Sequence, residues 1–209
     1  MEAAPPSSLL ELPEATQAAV IEAAHNEAPV HGLTHNFYRY PARFSPTFVR
    51  AVIRAFTSVG DLVLDNHVGG GTTLVEALAL GRDAAGIDIS SLAHFVSAIK
   101  TTVYSKQDLE RLKRWGEQLP DAINLRKWSI HFGEYADLGY YRHLEHPRRW
   151  PLRKAIEQAI GSAIKLGSPC LEAFGRCVIL RTAQLALDGR QHSATVDEFR
   201  RPSGYTSRE

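Results

Sequence analysis

Six residues between positions 61 and 91, in DLVLDNHVGGGTTLVEALALGRDAAGIDISS, have types and spacing that could do chemistry: Asp65, Gly69, Gly71, Thr72, Thr73 and Asp88. Glycine lacks Cβ, so a loop through Gly69, Gly70 and Gly71 can turn sharply and let a ligand lie against its backbone. A helix opening at Thr72 and Thr73 would then offer free N–H groups and positive potential to a carboxylate. Asp65 could take an ammonium or hold the loop in shape. Asp88, about twenty positions on, could accept both hydroxyls of a ribose, because an ionised carboxylate has two acceptor oxygens and no donor. The set suits a ligand with an amino-acid end and a ribose.

Two commoner glycine loops fit less well. The phosphate loop of nucleotide triphosphatases needs Lys and then Ser or Thr after its last glycine, and Gly71 is followed directly by Thr72. The dinucleotide fingerprint needs a third glycine where Leu74 stands. The elements that must position the six residues are legible on either side. Leu62, Val63 and Leu64 form an apolar run too short for a helix, which predicts a buried strand over 61–65. Leu74, Val75, Ala77, Leu78 and Leu80 predict a helix ending at a left-handed Gly81, and residues 84–88 predict a second strand. Strand, loop, helix and strand make a right-handed crossover in a parallel sheet, with a ligand crevice at the carboxyl ends of the strands.

LDNHVGGGTTLVEALALGRDAAGIDIS, together with the upstream HNFYRYPARFSPTFVRAVI, resembles the S-adenosylmethionine-dependent DNA methyltransferases that modify an exocyclic amino nitrogen of adenine or cytosine. In that family the loop reads Asp-Pro-Phe-x-Gly-x-Gly-Thr-Thr, preceded by a Tyr-Pro-Ala-Lys/Arg-Phe segment that completes the cofactor pocket. The resemblance covers roughly residues 34–102, and it implies S-adenosyl-L-methionine as cofactor and DNA as partner. It places the cofactor against Tyr40, Pro41, Phe44, Asp65, Gly69, Gly71, Thr72, Thr73, Asp88 and Ile89. Asn66 and His67 stand where the family has Pro and Phe, which frees a backbone torsion and removes apolar surface near the cofactor.

The expected fold is an α/β, Rossmann-like S-adenosylmethionine-dependent methyltransferase domain, a partial doubly wound sheet, with a mostly helical C-terminal extension. Residues 1–30 read as a tail and helix, 31–104 as the cofactor-binding core and 105–209 as the extension. At 209 residues, 44% hydrophobic and 22% charged, the chain can bury one core with an appended helical segment. A net charge of +1 confines any nucleic-acid contact to a local patch. No apolar run approaches the roughly 20 residues needed to span a bilayer and no basic-then-apolar leader opens the chain, so a cytoplasmic protein without a membrane partner is expected.

Upstream of the loop, Pro13 to Ala28 is alanine-rich, with Ala18, Ile21 and Ala24 on one stripe. Phe37, Tyr38, Tyr40 and Phe44 follow among His35, Arg39 and Arg43, either packed beneath the first helix or forming a pocket wall. Ser45 and Pro46 suit the N-cap and first position of a helix whose apolar face is Phe48, Val49, Val52, Ile53 and Phe56. Ser90 and Ser91 can cap a helix to about 102 with Leu92, Phe95, Val96 and Ile99 inward. Helices are expected over 107–119, 121–128, 151–166 and 168–187. Cys170 and Cys177, about 10 Å apart along a helix axis, are too far apart to bridge and read as reduced core residues.

No catalytic residue is assigned. The family holds its target nitrogen with an Asp/Asn/Ser-Pro-Pro-Tyr/Phe/Trp loop, and no such tetrapeptide occurs; the adjacent prolines, Pro5 and Pro6, precede Ser7. The resemblance puts that loop downstream of the cofactor loop, so the chain is expected to be a cofactor-binding half, truncated or split, with a second chain carrying the rest. An RNA methyltransferase and a noncatalytic binding module acting through a partner are the alternatives. His143 and His146 lack a third metal ligand, and no metal is assigned. Arg142, Arg148, Arg149, Arg153 and Lys154, interleaved with Tyr140, Tyr141 and Trp150, read as a solvated basic face or a phosphate grip. His67 reads as a loop residue or as a general base without a positioned partner.

Overall fold

The computed structural model describes residues 6–41, 43–126, 149–187 and 196. Its contacts divide into two units, Met1–Val103 and Tyr104–Glu209. Among the described residues the architecture is mixed α/β and mostly helical, with one two-stranded parallel sheet.

The first unit opens with helix α1 (Glu14–Ala24), which packs on α2 (Pro46–Phe56). The face α1 buries is that of Val20 and Ala23, whereas the expected stripe of Ala18, Ile21 and Ala24 is exposed. Its alanines differ little in size or polarity from one face to another. The direction of burial is therefore set by docking and not by the sequence pattern. In α2 the Val49 and Ile53 side chains pack with Ala77, and Val63, Leu80 and Ala84 close around them. Each such buried aliphatic side chain contributes about 1.5–3 kcal/mol. Ser45 stands at the N-cap in extended backbone, but its hydroxyl meets Thr47 Oγ1 at 3.1 Å instead of capping a backbone amide. The other end of α2 is held by Arg82, which donates to Thr57 Oγ1, to the Thr57 carbonyl and to the Leu80 carbonyl.

Strand β1 (Leu62–Asp65) pairs in parallel with β2 (Asp83–Gly86), and α3 (Thr72–Ala79) connects them. Val63 lies opposite Ala84 in the register, and both join the cluster of α2 and α3. The alternate residues point the other way. Leu62 and Leu64 are 66% and 62% exposed, so β1 is covered on one face only and is not the buried strand its apolar run predicts. Period-two alternation explains this: with α2 and α3 on one side and nothing described on the other, every second side chain meets solvent. β2 also ends at Gly86, two residues earlier than expected, which leaves Asp88 in the turn before α4 (Ser91–Thr101). Ser90 caps that helix, accepting from the Ala93 amide at 3.4 Å.

In the second unit, α5 (Lys106–Ala122) is a single helix where two pieces are expected. Pro120 forfeits one backbone bond, but it sits in the final turn, where little helix remains to be broken. A reciprocal Ser105–Asp108 capping box opens α5. α6 (Trp150–Ile164) and α7 (Pro169–Leu187) follow among the described residues. Trp115 of α5, Leu152, Ala155, Ile156, Ala159 and Ala163 of α6 and Ile179 of α7 form its core. Cys177 is buried, whereas Cys170 is exposed and is not the core residue expected; both are free thiols. Among the described residues, no helix is long and apolar enough to cross a membrane.

Candidate functional site

The loop between β1 and α3 is built by backbone bonds that continue the sheet pairing beyond the strands. Ile87 N–H donates to the Asp65 carbonyl at 2.8 Å, and Val68 N–H donates to the Ile87 carbonyl at 3.0 Å. Gly71 N–H then closes back on the Val68 carbonyl at 2.8 Å. Gly71 is the N-cap of α3 at φ 77°, a left-handed conformation that a residue with Cβ adopts only with strain. No side chain caps α3, so its first-turn amides and the positive end of its dipole face the loop.

Asp88 reaches back to this loop. Its Oδ2 accepts from the Gly69 amide at 2.9 Å and its Oδ1 from the Ser90 amide at 2.8 Å. These amides, Ser90 first and Gly69 second, hold the carboxyl below the usual aspartate range. Asp88 is thus ionised at neutral pH and shapes the loop, with lone pairs remaining on both oxygens. Asp65 Oδ1 accepts from the His67 amide at 3.0 Å, which is the loop-holding role.

Two of the glycines are required by neighbours within the protein. A Cβ on Gly70 would lie 2.8 Å from Tyr40 Cβ, and one on Gly71 would lie 3.0 Å from Ser97 Cα and Cβ. The close approach expected of a ligand is made at these positions by Tyr40 and by α4. Gly69 remains partly accessible, with the Tyr40 ring beside it. The structure therefore brings together Tyr40, Asp65, Gly69, Gly71, Thr72 and Asp88. Thr73 is half-buried in the first turn of α3, and Pro41 is exposed. Phe44 is 64% exposed and leans on Phe48 with ring centroids 6.2 Å apart. Ile89 is fully exposed among the described residues.

Several supporting residues escape a reading that looks only for motifs. Lys100 of α4 is buried and its Nζ donates to the Gly70 carbonyl at 2.8 Å. Ser97 lies one turn earlier on the same face, against Gly71. Glu76 of α3 is fully buried; His35 Nε2 lies 2.7 Å from its Oε1, while Arg50 donates Nε to Oε2 at 2.7 Å and Nη2 to Oε1 at 3.1 Å. Burial pushes the Glu76 carboxyl up, but the His35 and Arg50 bonds outweigh it and the net displacement is downward. This cluster ties the 31–44 segment and α2 to the helix behind the loop. Thr34 Oγ1 donates to the Lys100 carbonyl at 2.8 Å and Arg43 Nη1 to the His35 carbonyl at 3.1 Å, fixing the approach to Tyr40. A signal was present: Glu76 interrupts the apolar run of α3, and Lys100 falls on the inward stripe of Ala93, Val96 and Ser97.

The predicted His143–His146 pair, with Tyr140, Tyr141, Arg142 and Arg148, lies outside the described residues. Of the basic run that is described, Arg153 sits 5.3 Å from the Trp150 ring centroid and pairs with Glu157 at 3.0 Å, while Lys154 donates to the Leu125 carbonyl. Those contacts suit a helix face better than a free phosphate grip.

A parallel strand pair whose glycine loop meets a strand-end carboxylate, Asp65, a second carboxylate beyond β2, Asp88, and an uncapped helix start defines a candidate small-molecule site on a mixed α/β unit. Residues 19–98 match the family model described as DNA methylase. Type II methyltransferase M.MjaII of Methanocaldococcus jannaschii is 32% identical over 78 residues, 37% of this chain and 15% of that protein. Type II methyltransferase M.BsoBI of Geobacillus stearothermophilus is 38% identical over 81 residues, 38% of this chain and 16% of that protein. Type II methyltransferase M.MvaI of Kocuria varians is 35% identical over 82 residues, 38% of this chain and 18% of that protein. The chain thus spans less than a fifth of the length of these relatives. No solved structure matches it.

Proposed function

We propose that this chain carries the S-adenosylmethionine-binding part of a DNA amino-methyltransferase, built on a partial Rossmann-like sheet. The observation that supports it most is the Gly69–Asp88 bond, which joins the glycine loop to the acidic residue after β2 inside the segment shared with DNA methylases. In this reading the amides opening α3 receive the cofactor's carboxylate, Asp88 receives the ribose hydroxyls on its remaining lone pairs, and Tyr40 flanks the loop. The cofactor supplies an electrophilic methyl group; the protein's task is to orient it and exclude water. The residues fit that group in charge and position at Gly69, Thr72 and Asp88, and less closely at Phe44 and Ile89, which stand in solvent.

In this reading the target base is held by a Pro-Pro loop that this sequence does not contain. A noncatalytic module is the second reading, and the packing of Tyr40 on Gly70 and Ser97 on Gly71 favours it, because these glycines serve the protein's own interior. Thermal unfolding with and without S-adenosylmethionine tests the first reading. The ligand should raise the melting temperature of the wild type and leave Asp88→Ala unmoved. Equal shifts in both proteins would remove Asp88 from the site.

A further inference from the structure

The groove between α5 and the C-terminal end of α6 lies outside the segment shared with DNA methylases and stands independently of the cofactor reading. We propose that it binds the phosphodiester backbone of duplex DNA. Its volume is about 420 Å3, and it is an open trough and not an enclosed cavity. Arg111, Arg114 and Gln118 approach from one face of α5, and Lys165 approaches from the end of α6. Residues three and four apart on a helix share a face, so both arginines are presented along one wall.

The floor is fixed. Trp115 is buried and its Nε1 donates to Ser162 Oγ at 3.0 Å across the groove, and Arg111 Nη2 clamps the Leu166 carbonyl at 2.6 Å. The walls, by contrast, are basic: no carboxylate lines the groove, and Arg114 and Lys165 make no ion pair among the described residues. Asp108, Glu110, Glu117 and Asp121 also stand on α5 but do not line the groove; the charge of Arg111 acts on Asp108, and Arg114 Nε donates to the Glu110 carbonyl at 3.4 Å. A helix C-terminus would ordinarily repel an anion. Here the Ser162, Ala163 and Ile164 carbonyls are taken by backbone amides and the Leu166 carbonyl by Arg111. Three cations converging on a groove that no carboxylate lines, in a chain whose net charge is only +1, form a local anion site. Guanidinium forks and an ammonium match phosphate oxygens, and an open trough admits a polymer where a closed pocket would admit a small ion.

The test is fluorescence anisotropy of a labelled duplex of about 20 base pairs against the full chain over a salt series, without S-adenosylmethionine. Arg114→Gln combined with Lys165→Gln should weaken binding at least tenfold at low salt and flatten the slope of log K against log salt by about 2. Lys106→Gln combined with Lys113→Gln, which removes the same charge from the solvent side of α5, should change the slope by less. Both residues of the test pair are exposed, so circular dichroism should show unchanged folding. Failure of the wild type to bind duplex, equal slopes in wild type and test pair, equal losses in the two double variants, or full displacement of the duplex by millimolar inorganic phosphate would each overturn the proposal. Duplex affinity should be the same in Asp88→Ala, which separates this groove from the cofactor loop.

Discussion

Lys100 Nζ donates to the Gly70 carbonyl over 2.8 Å, from a position buried beneath the glycine loop. The loop is therefore seated on α4 by a charge-assisted bond, and its shape depends on a residue thirty positions away from the glycine it holds. Removing the ammonium leaves a buried carbonyl without that donor, at a cost of about 1–3 kcal/mol. Lys100→Met should lower stability by that amount in urea unfolding. In calorimetric titration it should also weaken S-adenosylmethionine binding by more than tenfold.

Glu76 gives a pH-dependent prediction. Its carboxyl is displaced downward in the folded protein, so its contribution is complete above the ordinary glutamate pKa and is lost as pH falls through the folded value. Glu76→Gln should cost about 3 kcal/mol at pH 7, because Arg50 and the buried His35 lose a charged acceptor. The gap between wild type and variant, measured by urea unfolding, should narrow as pH is taken below about 4. A gap that stays constant with pH would show that the charge of Glu76 does not stabilise the fold.

The glycines separate by environment. Gly70→Ala sets Cβ at 2.8 Å from Tyr40 Cβ and should cost about 1–3 kcal/mol. Gly116, inside α5 with nothing within 4 Å of its Cβ position, should gain about 0.5–1 kcal/mol on replacement by alanine. Thermal melts of the two variants should move in opposite directions.

The two faces of β1 should also answer differently. Val63 packs with Val49 and Ile53, and Val63→Ala should cost about 1–2 kcal/mol. Leu64→Thr, at a position 62% exposed, should cost under about 0.5 kcal/mol. Comparable losses at both positions would mean that the Leu62–Leu64 face is covered in solution.

The loop itself was legible because its residues are unusual in kind: a glycine triplet between a short apolar run and a threonine pair has few structural uses. Elements with clear apolar periodicity, such as α2 and α4, were equally readable. The exposure of Leu62 and Leu64 was not, since an apolar run describes a strand without saying how many of its faces are covered. The stripe of α1 failed for a related reason, because alanine gives no direction. The contacts that hold the loop in place, Lys100 to Gly70 and Glu76 to His35 and Arg50, join residues thirty to forty-one positions apart or on different helices, and the spacing that turns Glu76 and Lys100 inward does not say which partners they meet.

The most direct measurement is a calorimetric titration of the purified chain with S-adenosylmethionine at neutral pH. The proposed function predicts a saturable heat with one ligand per chain. No heat at millimolar ligand, from a protein that melts cooperatively, would contradict it.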